Sequence, residues 1–290
     1  MSPPETIENV SDTALWVAMY RAFETERADA LFRDPHARRL AGPRGEQILR
    51  SIPGGRGAAW AMITRTVLFD DVVMRSVRER GVDTVLNLAA GLDTRPWRLE
   101  LPAALRWIDV DLPAMLDYKQ RELAGETPKC RYEARPADLR EAATRRALFA
   151  DVGAGSKSVL VVSEGLLIYL ADDDVAGLAE SLAAEPTFRW WMIDLASPLL
   201  IKRMQRQWGR RMERGNAPFR FAPAEGTRFF KPHGWTEREF HSIWETSQRL
   251  HREMPPAWLW KLLARFAKPE MREQWKRFSG AVLLERSAAR

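Results

Sequence analysis

The chain has 290 residues, 46% of them hydrophobic, with a formal net charge of +6 and a pI near 9.7. That is enough apolar material to bury a large core as one decorated domain, or one domain with a cap, and no second domain is required. Cys130 is the only cysteine, which forbids an intrachain disulfide and suits a reducing compartment, and the longest apolar stretch, near 159–170, is too short for a membrane span and carries Glu164.

The N-terminus, M-S-P-P-E-T-I-E-N, has early acids and lacks the apolar core of a signal peptide, so cytoplasmic residence is expected. Residues 1–80 read as helical, with Ala14, Leu15, Ala18, Met19 and Ala22 at helical spacing and Met62, Val67, Val72 and Val77 less regularly so. Gly54, Gly55 and Gly57 near Pro53 mark a mobile connection and are too scattered for a phosphate loop. From Val82 to about Ser197 strands alternate with helices, near 84–89, 105–110, 130–135, 158–163 and 188–194, which implies a parallel sheet with helices on both faces. Asp172, Asp173 and Asp174 begin a helix, where acids oppose the positive end of the dipole. Residues 198–235 look irregular, basic and aromatic, with Trp208, Phe219, Phe221, Phe229, Phe230 and Trp235 among prolines, as suits a substrate-covering insertion or a dimer contact. An amphipathic helix is expected from Thr236 to about Leu250, then a turn at Pro255-Pro256, a Trp-rich helix with Trp258, Trp260 and Leu262, and a last apolar run, Ala281 to Leu284, for a closing strand.

Charge and histidine content narrow the partners. The arginine pairs Arg38-Arg39, Arg145-Arg146 and Arg210-Arg211 are dispersed rather than gathered in a tract, which reads as solvated helix faces and not a nucleic-acid surface. His36, His233, His241 and His251 show no metal spacing, and no metal is expected.

The chemistry concentrates between Thr84 and Pro113. One apolar strand ends in N-L-A-A-G-L-D-T-R and the next in W-I-D-V-D-L-P, each delivering a carboxylate at its carboxyl end, where open α/β sheets bind ligands. Small residues at 89–91 let a ligand approach the backbone. Asp111, twenty residues after Gly91, is spaced to grip both hydroxyls of a ribose. A dinucleotide fold wants three glycines and bare helix-terminal amides for its pyrophosphate; this loop has one glycine, and Asp93 would repel phosphate. S-adenosyl-L-methionine carries a sulfonium and an ammonium and no phosphate, so it is the favoured cofactor.

The segments R-T-V-L-F-D-D-V-V (65–73), V-L-N-L-A-A-G-L-D-T-R-P-W-R-L (85–99), W-I-D-V-D-L-P (107–113), A-D-L-R (137–140) and S-E-G-L-L-I-Y-L (163–170) together resemble the leucine carboxyl methyltransferase family, in particular its bacterial branch of polyketide-type O-methyltransferases, and F-F-K-P-H-G-W (229–235) extends the likeness. That resemblance implies a class I methyltransferase, an α/β Rossmann-like fold with a seven-stranded, mostly parallel sheet, an antiparallel closing strand, a helical cap over 1–80, a core over 81–197, a lid insertion over 198–235 and C-terminal helices over 236–290. It implies that Arg65 binds the methionine carboxylate, that Ala89 to Gly91 lie against the amino-acid part with Asp93 beside them, that Asp111 holds the ribose, and that Asp138 and Leu139 meet adenine. Ala89 stands where the family usually has the first glycine of G-A-G. Glu164 has separate support: a carboxylate in an apolar strand needs a cation, either the cofactor ammonium or Arg65.

The expected reaction is in-line methyl transfer to a hydroxyl or carboxylate of a small molecule, by a monomer or homodimer. Base-methylating enzymes place an Asn- or Asp-Pro-Pro-aromatic motif after the fourth strand, and here that place holds Ser163-Glu164-Gly165-Leu166, which argues against nucleic acid. Methylation of a protein C-terminal carboxylate and a catalytically silent cofactor-binding protein are the alternatives. A carboxylate acceptor needs no base; a phenol or alcohol is helped by one, with His233, Tyr169 and Asp194 as candidates in that order.

Overall fold

The computed structural model describes residues 10–51, 54–214, 218–254, 256, 262, 265 and 267–287. The expected Trp-rich helix around Trp258 and Trp260, and Pro53 and Pro255, lie outside the described residues. Three helices come first, α1 (Val10–Thr25), α2 (Ala37–Ser51) and α3 (Ala59–Glu79), followed by β1 (Thr84–Leu88), α4 (Arg95–Arg98), β2 (Arg106–Asp111), α5 (Pro113–Glu122), β3 (Arg131–Pro136), α6 (Ala142–Ala154), β4 (Val159–Ser163), α7 (Asp172–Ala183) and β5 (Phe188–Ala196). The chain closes through α8 (Pro198–Arg214), β6 (Trp235–Ser242), α9 (Ile243–Arg249), α10 (Pro269–Lys276) and β7 (Ser279–Arg286).

The seven strands form one sheet in the order β3-β2-β1-β4-β5-β7-β6. The first five are parallel and β7 runs antiparallel to both β5 and β6. Their composition shows why the sheet is covered twice. Along β4, Val159 and Val161 pack into one apolar cluster with Phe149 of α6 and Leu178 of α7, while Leu160 and Val162 pack into another with Phe69 and Val72 of α3. Successive side chains point to opposite faces, so a strand buried on both faces reads as a continuous apolar run, as β4 does. The chain order reverses between β1 and β4, and the crevice at that switch point is where such sheets bind ligands.

Two expectations change. Residues 236–250 are not one helix: Trp235–Ser242 is the edge strand β6, with a register shift between Glu237 and Glu239, and only Ile243–Arg249 is helical. Thr236, Glu237, Arg238 and Glu239 have helix-compatible or neutral propensity, but pairing with β7 overrides it, and charges on an edge strand discourage further pairing. Residues 198–235 are not irregular throughout, because α8 runs for 17 residues. Its start is a Ser-Pro signal: the Leu200 amide donates to Ser197 Oγ at 3.3 Å, and Pro198 occupies the first turn, where no amide is needed.

The edge strand is tied to α3 by charge. Arg75 Nη2 donates to Glu239 Oε2 at 2.9 Å, Arg80 also binds this carboxylate, and His241 Nε2 lies 2.8 Å from it. Burial opposes ionisation of Glu239, yet the hydrogen bonds from Arg75 and His241 and the two arginine charges pull its carboxyl from 4.5 to about 2. On acidification the unfolded chain therefore takes up this proton first, and the contribution of Glu239 to stability, complete above pH 4.5, is lost as the pH falls toward about 2. Urea unfolding should show Glu239→Gln to be less stable than the wild type at pH 7, with the gap narrowing steadily below pH 4.5; a gap independent of pH would contradict the network.

Candidate functional site

A cavity of about 1320 Å³ opens at the carboxyl ends of β1, β2, β4 and β5. The registers explain which side chains meet there. Leu88 pairs with Val110, Asn87 with Val162, and Ser163 with Ile193, so the next residues along each strand, Ala89, Asp111, Glu164 and Asp194, emerge side by side at one rim. Arg65, Ala89, Gly91, Asp93, Asp111, Asp138, Leu139, Glu164, Tyr169 and Asp194 all line this cavity.

The strongest electrostatic feature is a chain of ion pairs along that rim. Arg65 reaches in from α3, its Nε on Glu164 Oε1 at 2.9 Å and its Nη1 on Asp194 Oδ2 at 2.8 Å. The other oxygen of Glu164 takes Arg95 Nη2 at 2.8 Å, and Arg95 continues to Asp70 and Asp93, both at 2.7 Å. Arg98 closes on Asp70 at 2.6 Å. The Glu164 carboxylate thus meets Arg65 and, in addition, Arg95, a residue that stands inside the D-T-R-P-W-R motif without having been singled out. Nothing local marks Arg95 as buried; its partners come from α3, β4 and its own turn.

Burial pushes Glu164 toward neutrality, but Arg95 and Arg65 outweigh it and hold the carboxyl below its ordinary range. Asp93 is held well below the usual carboxylate range, its burial overcome by the Arg95 charge and by the Arg95 amide donating at 2.8 Å. Arg65 stays protonated, because Glu164 and Asp194 overcome the burial that opposes it. Its Nη2 makes no hydrogen bond to a described residue.

Asp111 behaves differently. Its Oδ2 accepts from the Gly91 amide and its Oδ1 from the Leu112 amide, both at 2.7 Å, and burial still raises its carboxyl above the ordinary value because no cation pairs with it. Each oxygen keeps a lone pair for a ligand hydroxyl. The Asp93 charge is matched by Arg95, so the repulsion of phosphate expected of Asp93 falls to the rim as a group. At the cavity Asp93, Asp111, Glu164 and Asp194 face Arg65, Arg95 and Arg98, a formal excess of one negative charge, while Asp70 pairs with Arg95 and Arg98 outside the lining.

The loop after β1 is strained where a ligand would approach. Ala89 has φ of 51° and Gly91 has φ of 49°; a Cβ on Gly91 would sit 3.3 Å from the Ala14 side chain. Alanine in the left-handed region is penalised by roughly 1–2 kcal/mol. Ala89→Gly should therefore raise stability by about 1 kcal/mol after the entropy loss of glycine is subtracted. Chemical denaturation can check this, and a destabilised variant would mean that Ala89 contributes packing larger than its strain.

The remaining candidates separate. Asp138 closes its own turn, accepting from the Arg140 amide at 3.0 Å and pairing with its guanidinium at 2.6 Å, with half-buried Leu139 beside it. Tyr169 stacks on Phe219 at 5.9 Å, and burial raises its phenol, which stays protonated. Asp194 is held by Arg65 and by the Gly165 amide at 2.7 Å. His233, placed first among the possible bases, does not line the cavity; the turn Gly226–His233 carries it to α7, with Nδ1 2.9 Å from Glu180. The 198–235 segment also divides, since α8, Pro218, Phe219 and Arg220 line the cavity whereas Phe221, Phe230 and Trp235 pack into the core with Trp191. Burial pushes the Cys130 thiol up to about 11, as befits a core residue. Among the described residues no three His, Cys, Asp or Glu side chains come together to hold a metal ion, and no helix is long and apolar enough to cross a membrane.

Behind the rim, Asn87 Nδ2 links Asp93 to Asp109, and Asp109 pairs with Lys119 at 2.6 Å in a fully buried contact that also takes the Tyr132 hydroxyl. This couples β1, β2, β3 and α5 beneath the cavity floor.

The strand order, the reversed β7 and the ligand crevice at the β1/β4 switch point define a class I methyltransferase fold. A crystal structure from Thermobifida fusca, described as an inferred methyltransferase, shares that fold with a TM-score of 0.59 at 17% identity, covering 98% of this chain and 97% of its own. A DUF574 family protein from Streptomyces avermitilis aligns with a TM-score of 0.57 at 16% identity, covering 93% of this chain and 96% of its own. The chain belongs to the leucine carboxyl methyltransferase family, whose description residues 14–183 match. An inferred S-adenosyl-L-methionine-dependent methyltransferase of Streptomyces avermitilis is 32% identical over 261 residues, covering 84% of this chain and 89% of the relative. Inferred methyltransferases of Parafrankia and Frankia alni are 37% and 36% identical over 58% and 59% of this chain, and the match spans only 57% and 63% of their own lengths.

Proposed function

We propose that this chain is an S-adenosyl-L-methionine-dependent O-methyltransferase acting on a hydroxyl or carboxylate of a small molecule. The observation that carries the reading is the surplus of carboxylate charge at the strand ends, in a cavity whose other walls include Trp16, Leu92, Met115 and Leu166. Such a rim suits a cationic nucleoside and repels a diphosphate.

The donor set fits that cofactor. Asp111 would hold the ribose hydroxyls, the backbone from Ala89 to Gly91 would lie against the amino-acid part, and the free Nη2 of Arg65 would meet its carboxylate. Glu164 and Asp194 would face the ammonium, and Asp138 and Leu139 the adenine. When bound, the cofactor supplies an electrophilic methyl group on a sulfonium centre. The chain's own task is then to align an acceptor oxygen and exclude water, which can account for about 7–11 kcal/mol of barrier.

Among the described residues the site offers its acceptor no ready base. Glu164 and Asp194 are engaged by arginines, Tyr169 keeps its proton, and His233 is elsewhere. The acceptor oxygen must therefore ionise readily by itself, as a carboxylate or an acidic phenol does. The family description favours a second reading, transfer to a protein C-terminal carboxylate, which shares that requirement.

Labelled methyl transfer to a panel of aromatic acids, phenols and a peptide with a free C-terminus distinguishes the two. Transfer to the small acceptors is expected; transfer to the peptide alone would favour the second reading, and cofactor binding without any turnover would overturn both. Glu164→Gln should weaken cofactor affinity by about tenfold or more, since a charged hydrogen bond contributes roughly 1.5–3 kcal/mol. Unchanged affinity by calorimetry would remove Glu164 from the cofactor site.

A further inference from the structure

The cavity is divided by charge. All six of its lining carboxylates, Asp93, Asp111, Asp138, Glu164, Asp174 and Asp194, come from the core elements and the loops that follow their strands. Beyond β5 the lining comes from α8, residues 218–220, α9, α10 and the start of β7, and those elements contribute no acid to it. They contribute Lys202, Arg203, Arg206 and Arg220 instead, and none of the four has a carboxylate within 4.0 Å among the described residues. Of the cations that line the cavity before β5, Arg21, Arg65, Arg95, Arg98 and Arg140 are ion-paired, and Arg145 donates to Ser181 and to the Leu139 and Gly177 carbonyls.

The cavity is also lined by three tryptophans in edge-to-face contact, Trp60 from α3, Trp244 from α9 and Trp275 from α10. Trp60 meets Trp244 edge-on at 6.5 Å, and Trp244 meets Trp275 at 6.3 Å, with Phe278 following at the foot of β7. The basic segments are tied to each other and to the turn after β4. Gln205 of α8 donates to the Phe219 carbonyl at 2.9 Å, the Arg220 amide donates to the Ile168 carbonyl at 2.7 Å, and Phe219 stacks on Tyr169. Lys202, Arg203, Arg206 and Arg220 are exposed where they line the cavity, and their unpaired charges attract an anion with a field that solvent and salt partly screen.

We propose that the acceptor is a planar, apolar molecule that carries a negative charge, its ring against the Trp60, Trp244 and Trp275 wall and its anionic group facing Arg203 and Arg220. This rests on the methyltransferase reading and adds to it the charge and shape of the acceptor. Neutral rings would lose the cationic contact, and cationic rings would be repelled by it. A carboxylate or acidic phenol that meets these arginines also satisfies the absence of a base, because it arrives already ionised.

Calorimetry on the full chain tests this, with S-adenosylhomocysteine titrated first and then 2-naphthoate, 2-naphthamide or a short peptide ending in a free leucine carboxylate. Naphthoate should bind at least tenfold more tightly than naphthamide. Arg203→Gln combined with Arg220→Gln should erase that preference by weakening naphthoate about tenfold or more, while the affinities for naphthamide and S-adenosylhomocysteine and the thermal midpoint stay as in the wild type. Equal affinity for the two naphthalenes, no naphthoate binding, binding of the peptide alone, or a variant that loses both naphthalenes equally would overturn the inference and leave the cofactor reading intact. Failure of S-adenosylhomocysteine to bind would instead overturn the methyltransferase reading and this inference with it.

Discussion

Arg95→Met is expected to lower stability by about 3–5 kcal/mol, the usual consequence of removing one partner from a buried ion-pair network. Arg95 is buried and binds Glu164, Asp93 and Asp70 at once, with its guanidinium 5.6 Å above the Phe69 ring. Methionine fills much of the volume but leaves three carboxylates facing one another in a poorly solvated site. For a chain of this size a loss of that magnitude lowers the thermal midpoint by roughly 10 °C. The pH dependence has a definite sign. In the wild type Asp93 and Glu164 are held ionised below their ordinary ranges, and without Arg95 they gain protons at higher pH. The deficit of the variant should therefore be complete above about pH 4.5 and shrink as the pH falls below it. Melting curves at about pH 7 and about pH 3 would show this, and a variant as stable as the wild type, or equally impaired at both, would refute the network account.

Asp111→Asn is expected to reduce cofactor affinity by roughly 100-fold. Two effects add. The charged acceptor proposed for the ribose hydroxyls is lost, worth about 1.5–3 kcal/mol. The asparagine nitrogen must also face either the Gly91 or the Leu112 amide, both of which now donate to the carboxylate at 2.7 Å, so the loop from Ala89 to Gly91 is pushed out of register. The folded state should lose about 1–3 kcal/mol as well, because one of these two amides is left without an acceptor. Titration calorimetry with S-adenosylmethionine, set beside the melting temperature, separates binding from folding. A loss of less than threefold would mean that Asp111 does not grip the ligand.

These two residues show how far the chain can be read as a line of letters. The place of Asp111 on the cavity was legible, because a carboxylate that closes a parallel strand emerges at the carboxyl end of the sheet, where the crevice lies. Arg95 was not, although it lies four residues after Gly91, since a guanidinium in a turn looks solvent-exposed until Asp70 of α3 and Glu164 after β4 are brought against it. His233 failed the other way. Its type suggested a base, and the turn that ends at Gly234, with φ of 88°, faces it toward Glu180 and away from the cavity.

The sequence alone placed the strands β1 to β5 and the acids at their ends, because β1 and β4, covered on both faces, are nearly continuous apolar runs and the others alternate with helices around them, while the reversed sense of the closing strand came from the family likeness. Tertiary structure decided the rest. It made an edge strand of Thr236–Ser242 through pairing with β7, kept α8 and Phe219 on the cavity while drawing Phe221, Phe230 and Trp235 into the core, and matched each rim arginine to its acids. The physical reason is that strand pairing, side-chain burial and the neutralisation of buried charge depend on partners distant along the chain, and no local pattern encodes which of several arginines will meet which carboxylate.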